Sequence, residues 1–80
     1  MFNRLDKFLV VTTNNLGVLE AVSELIYLEL KCAYLIQIET FPNMTLYRIY
    51  IDMPEDFDDN AIKIISKDLE ARHMKLMKES

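Results

Sequence analysis

Cysteine, histidine and clustered carboxylates are the side chains of this sequence that could carry out catalysis. Cys32 is the only cysteine and His73 the only histidine, and they lie far apart in the chain. A Cys–His nucleophilic pair needs a supporting signature around the cysteine, and none is present. We therefore interpret Cys32 as a small core residue and His73 as a surface residue near the end of a helix, where its charge is favourable.

An acidic group is the second candidate. It consists of Glu55, Asp56, Asp58 and Asp59. It lacks the glycine and the terminal glutamate of a calcium-binding loop, so helix capping and solvation explain these carboxylates. We predict no metal site, no cofactor and no enzymatic activity, because no base, nucleophile or metal cluster is assembled by spacing.

The segment "TTNNLGVLE", residues 12–20, contains the only glycine of the chain, Gly17. A glycine inside a helix costs up to about 1 kcal/mol relative to alanine. It is understandable where something approaches the helix N-terminus, whose unpaired N–H groups suit a carboxylate. The alternative is that Gly17 only permits a tight turn or close packing of helix against sheet.

The elements around this glycine follow from hydrophobic spacing. The apolar, β-branched run Lys7–Thr13 predicts a strand that is covered on both sides or lies in the middle of a sheet. Apolar positions then recur at helical spacing from Leu16 to about Leu30. Asn14 or Asn15 is the predicted N-cap of this helix.

Two alternating segments predict a β-hairpin. They are Cys32–Phe41 and Leu46–Met53. We predict a four-residue loop, Pro42–Thr45, because the primed turns of two-residue loops need a positive φ that proline cannot adopt. This loop places Glu39 opposite Arg48, a favourable cross-strand pair.

A second helix is predicted after the loop "MPEDFDDN", with Asp58 or Asp59 as its N-cap. Its apolar positions are Ala61, Ile62, Ile65 and Leu69. The last residues allow two interpretations. Leu69, His73 and Leu76 could continue the helix, or residues 73–78 could form a short closing strand.

The order strand, helix, strand, strand, helix, possibly strand predicts one α+β domain over residues 1–80. Right-handed crossovers give this order a ferredoxin-like split-βαβ fold, βαββα(β), with an antiparallel sheet and both helices on one face. The first strand is then central, provided that a fourth strand or a neighbouring chain covers its free edge.

With that topology, "VVTTNNLGVLEAVSELI" resembles the opening of an ACT domain, a small regulatory module associated with enzymes of amino-acid metabolism. Asn14 stands at the family's acidic or Asn position, Leu16 replaces its proline, and Gly17-Val18-Leu19 match. The resemblance implies an amino-acid ligand between this loop and a strand of a second chain, and a closing strand near the C-terminus. The candidate ligand-binding residues are therefore Asn14, Asn15, Gly17, Val18 and Leu19.

The apolar content is high for a chain of this length. Hydrophobic residues make up 51% of 80 residues, and so small a domain has a thin core. Some apolar side chains must therefore remain outside the core, which predicts a homodimer or another protein partner. The candidate interface residues are Leu35, Leu46, Arg48, Tyr50 and Tyr27.

Charge and hydropathy exclude several partners. A net charge of −4 argues against nucleic acid, which requires a basic stripe. No apolar run is long enough to span a membrane and the N-terminus is charged, so we expect a cytoplasmic protein. Two functions remain: an ACT-like regulatory module that binds an amino acid, an enzyme partner or both, and a ligand-free protein-binding module such as a viral or accessory inhibitor.

Overall fold

The structure is a computed structural model, and it describes residues 1–74. The strands are β1 (Phe2–Leu5), β2 (Phe8–Thr13), β3 (Tyr34–Phe41) and β4 (Met44–Asp52), and the helices are α1 (Leu16–Leu25) and α2 (Asp58–Ala71). A π-helical turn, Ile26–Leu30, extends α1, and a short 3₁₀ turn, Glu55–Phe57, precedes α2. All strand pairs are antiparallel, in the order β1-β2-β4-β3.

Both helices pack on the same face of this sheet, which we call the helix side. The core combines Leu9, Val11, Ile49 and Ile51 of the two central strands with Val18, Val22, Ile26, Ala61, Ile65 and Leu69 of the helical segments. The four strand residues alternate along β2 and β4 and therefore share one face. This is the predicted α+β, ferredoxin-like arrangement.

The N-terminal strand β1 was not predicted. It pairs with β2 along its whole length, from Phe2 opposite Val11 to Leu5 opposite Phe8. Asp6 lies in the two-residue turn with a φ of 51°, the positive value that primed turns need at their first position. β1 therefore covers the edge of β2 for which the sequence required a fourth strand or a second chain.

Arg4 joins β1 to the segment between β4 and α2. Its guanidinium donates to the carbonyl of Met53 (2.8 Å) and to Asp58 Oδ1 (2.9 Å), and its Nε donates to the carbonyl of Asp6 (3.0 Å). The Arg4 and Asp58 side chains are mostly buried. One side chain thus joins the first hairpin, the end of β4 and the start of α2.

The β3–β4 hairpin corrects the predicted loop. Phe41 lies opposite Met44, so the loop is the two-residue Pro42-Asn43. Neither residue has a positive φ, so the turn is not of a primed type, and the φ of proline suits an unprimed one. Glu39 lies opposite Leu46 and Gln37 opposite Arg48, a register shifted by two residues that keeps the predicted faces.

The termini of the helices agree only in part with the predictions. Asn15 caps α1 as expected, and the helical segment ends at Leu30. Asp58 and Asp59 lie in the first turn of α2 and do not cap it; the N-cap position is Phe57. There the two carboxylates still interact favourably with the positive end of the helix dipole.

The predicted extension of α2 through His73 to Leu76 is wrong in its described part. α2 ends at Ala71, and His73 adopts a left-handed φ of 58°, which a continuing helix does not allow. The alternative, a closing strand over residues 73–78, falls largely outside the described residues.

Candidate functional site

Side chains of the preceding residues occupy part of the N-terminus of α1. Asn15 Oδ1 accepts a hydrogen bond from the Gly17 N–H (2.8 Å), and Thr13 Oγ1 accepts one from the Asn15 N–H (3.1 Å). One of the N–H groups that the resemblance offers to a carboxylate ligand is therefore already engaged.

Gly17 provides space and not an unusual backbone conformation. Its φ is not positive; within residues 1–74 the left-handed positions are Asp6, Lys31 and His73. A Cβ at Gly17 would lie 3.1 Å from Asn15 Oδ1 and 3.3 Å from Met74 Cε. The glycine thus lets the capping oxygen and Met74 approach the helix, which accords with the close-packing interpretation.

Of the five candidate ligand-binding residues, Gly17 is half-buried and the other four divide into two groups. Asn14 and Asn15 are exposed, whereas Val18 and Leu19 are buried in the core beneath α1. The side chains of Val18 and Leu19 therefore face the sheet and not the solvent. Amino-acid binding at this segment stays a prediction, with a test given below.

The opposite face of the sheet, which we call the outer surface, carries a different candidate site. It contains a depression of about 430 Å³ lined by Met1, Asn3, Leu5, Val10, Thr12, Met44, Leu46, Arg48 and Tyr50. Val10, Thr12 and Leu46 are buried and form its floor. No helix of residues 1–74 covers this face.

Polar pairs frame this depression on the β3 side. Glu39 and Arg48 form an ion pair across the hairpin, and the Tyr50 hydroxyl donates to Gln37 Oε1 (2.8 Å). The Tyr50 ring also meets the Phe8 ring edge to face, with centroids 5.9 Å apart. These contacts hold the long side chains in place, so fixed polar groups lie beside a mostly apolar floor.

Four of the five predicted interface residues share the outer surface. Leu35 is 64% exposed, Arg48 and Tyr50 are half-buried, and Leu46 is only 8% exposed, as part of the floor. Tyr27 does not belong to this group, because it lies on the helical segment of the opposite side, where it is 76% exposed. The structure thus brings Leu35, Leu46, Arg48 and Tyr50 together and separates them from Tyr27.

The sequence missed the exposure of β3. Tyr34, Ile36 and Ile38 lie on the helix side, where the alternating pattern predicted burial, and Ile36 and Ile38 are 43% and 59% exposed. The helices lie over the central strands, and no other element of the described residues 1–74 covers this edge strand. The only signal in the sequence is the composition of β3, in which Glu39 is the only charged residue.

The environments of Cys32 and of the acidic residues indicate structural roles. Burial raises the pKa of the Cys32 thiol, a backbone hydrogen bond lowers it to a smaller extent, and the charge of Asp52 adds to the increase. A reactive cysteine needs the opposite shift. Asp58 is bound to Arg4, and within residues 1–74 no three His, Cys, Asp or Glu side chains are grouped to hold a metal ion.

Comparison with models of known protein families, with curated proteins and with solved structures finds no match to this chain. Among residues 1–74, no helix is both long and apolar enough to cross a membrane.

Proposed function

We propose that this chain is a non-catalytic interaction module that binds a protein partner through its outer surface. The observation that carries the proposal is the depression over Val10, Thr12 and Leu46, which has an apolar floor and fixed polar groups beside it. Binding energy at protein interfaces concentrates in such pockets, where an anchoring side chain is fully desolvated. The occupant that fits is an apolar side chain of the partner, flanked by groups that pair with Arg48 or Glu39.

Regulation of an associated enzyme, as the ACT resemblance implies, and inhibition of another protein are both compatible with this surface. They differ in the identity of the partner and not in the mode of binding. The proposal is therefore limited to the docking surface and the class of partner.

Capture of partners by the immobilised protein tests the surface. The rim residues Leu5 and Met44 are exposed, so the double variant Leu5→Lys/Met44→Lys is expected to fold and to lose the partner. Leu46 is unsuitable for this purpose, because a charge in the buried floor would destabilise the sheet. The matched control is Leu16→Lys/Phe57→Lys, which adds the same charges at exposed apolar residues on the helix side.

The proposal predicts that proteins captured by the wild type and by the control are absent from the rim variant. Capture of the same proteins by all three forms would contradict it. The proposal would also be contradicted if the wild type captured no protein from a lysate of the native cells.

Amino-acid binding near Asn14–Leu19 is tested by thermal unfolding in the presence of each common amino acid. A ligand at 100 times its Kd stabilises the native state by about 2.7 kcal/mol, which corresponds to an increase in Tm of about 10 to 20 °C for a domain of this size. Because the Gly17 N–H is engaged and Val18 and Leu19 are buried, we expect no amino acid to raise Tm. An increase of that size would establish the amino-acid-binding alternative.

A further inference from the structure

The two edges of the sheet differ in their availability for pairing. β1 has only four residues, and the backbone N–H of Arg4 donates to its neighbour Asn3 Oδ1 (2.8 Å). The charged head of Arg4 is also drawn to Asp58, on the helix side. Short length and charged side chains are the devices with which proteins prevent pairing at a sheet edge.

The edge formed by β3 has neither device. β3 has eight residues, with no lysine, arginine or proline among them. Its single charge, Glu39, is paired with Arg48 of the same chain. A long, apolar and unprotected edge strand is a template for a further strand.

The register shows which backbone groups of β3 have no partner within residues 1–74. The Asp52 N–H donates to the carbonyl of Ala33 (2.9 Å), which places Ala33 in a hydrogen-bonded position against β4. Such positions alternate along an antiparallel pair. The N–H and C=O groups of Tyr34, Ile36, Ile38 and Thr40 therefore point away from β4, toward the open edge.

We propose that this open edge binds β3 of a second copy of the chain, in an antiparallel pair that continues the sheet across the dimer. A two-fold axis perpendicular to the sheet keeps both pairs of helices on one side. It also requires each residue to lie opposite a residue of the same face.

One register gives the backbone groups of all four outward-pointing residues hydrogen-bond partners in the second copy. With the axis at Gln37, Tyr34 lies opposite Thr40 of the second copy, and Ile36 lies opposite Ile38 of the second copy. Each of these pairs exchanges two hydrogen bonds. An axis at Ile38 would place Tyr34 opposite Pro42, beyond the end of the strand, and would lose two of these bonds.

Charge and exposure favour this occupant. In the register centred on Gln37, Glu39 lies opposite Leu35 of the second copy, so no like charges face each other. A standard interface buries about 800 Å² of surface per partner. The backbone edges of two paired strands bury less than this, so side chains must contribute as well. The exposed side chains beside this edge, Tyr34, Ile36 and Ile38 on the helix side and Leu35 on the outer surface, supply further apolar area.

The protected β1 edge limits the assembly to two copies of the chain. Pairing of β1 with β3 would be heterologous and would build an open chain of copies, whereas pairing of β3 with β3 is isologous and closes after two copies. The dimer leaves the outer surface of both copies free, so this inference extends the proposed function and does not depend on it.

Sedimentation equilibrium tests the pairing of the two β3 edges. The protein concentration is about 100 μM, which suits a small interface. Wild type is expected to be a dimer and Ile38→Lys a folded monomer, because a lysine at this half-exposed position protects the edge. The matched control Leu5→Lys, at the other edge of the sheet, is expected to remain a dimer. A monomeric wild type, or dimeric Ile38→Lys, overturns the proposal.

Disulfide cross-linking tests the register without relying on a charged variant. In a Cys32→Ala background, Gln37→Cys places two thiols opposite each other at a pair with Cα atoms about 4.5 Å apart, within disulfide range. The control Glu39→Cys separates its two thiols by about 13 Å along the strands. Cross-linked dimer is expected for Gln37→Cys only; cross-linking of Glu39→Cys in its place overturns the register.

Discussion

Replacing Ile49 by alanine is expected to lower the free energy of unfolding by about 3 to 4 kcal/mol. Ile49 lies at the centre of β4 on the helix side and is fully buried between the sheet and the helices. Removing three of its carbon atoms loses their transfer free energy and leaves a cavity that the core fills only in part. The measurement is urea unfolding, with the milder variant Ile49→Val expected to cost about 1 kcal/mol.

The control for this prediction is Ile36→Ala. Ile36 lies directly opposite Ile49 in the neighbouring strand, on the same face, but it is 43% exposed. The same chemical change is therefore expected to cost about 1 kcal/mol or less at concentrations where the protein is monomeric. Equal losses for the two variants would mean that β3 is covered, and the free edge would be contradicted.

Replacing Arg4 by methionine is the second change with a large expected effect, a loss of about 2 to 3 kcal/mol. Methionine keeps an apolar stem but removes the contacts to the Met53 carbonyl and to Asp58. A hydrogen bond to a charged group contributes about 1.5 to 3 kcal/mol, and the Asp58 carboxylate would remain mostly buried without its partner.

Lys7→Met is the control for Arg4→Met. Lys7 also pairs with an aspartate, Asp52, at 3.4 Å, but both side chains are well exposed. Such a surface pair contributes about 0.5 kcal/mol or less. If Arg4→Met costs no more than Lys7→Met, β1 is not held to α2 as described.

The sequence was sufficient for elements whose signals are local. The apolar run of β2 identified the central strand, and Asn15 was among the two expected caps of α1. The alternation in β3 and β4 gave the correct faces, because the side-chain period of a strand does not change when the register shifts by two residues.

The errors arose where contacts between residues far apart in the sequence determine the structure. In β1 the apolar Phe2 and Leu5 flank Asn3 and Arg4, so the segment is short and does not alternate apolar with polar residues. Only the contacts of Arg4 explain its position. Burial of Ile36 and Ile38 depends on where the helices lie over the sheet, which no local pattern contains. The predicted four-residue loop is wrong because a two-residue hairpin can also close with an unprimed turn, whose φ proline adopts.

The candidate site was predictable to the same extent. The outer-surface group of Leu35, Leu46, Arg48 and Tyr50 followed from strand periodicity alone. The sequence could not show that Leu46 forms part of a buried floor, since that depends on which side chains of the other strands line the depression with it. Nor could it show that β1 closes one edge of the sheet and leaves the other open.

The position of β1 beside β2 is the claim on which the docking surface and the dimer both depend, because β1 lines the depression and closes the edge of the sheet opposite β3. Proton NOE spectroscopy measures this position directly. If β1 is the neighbour of β2, strong Hα–Hα cross-peaks join Phe2 to Val11 and Arg4 to Leu9, because these are the non-hydrogen-bonded pairs with the closest Cα atoms. Cross-peaks from β2 to residues 75–80 in their place would contradict the arrangement.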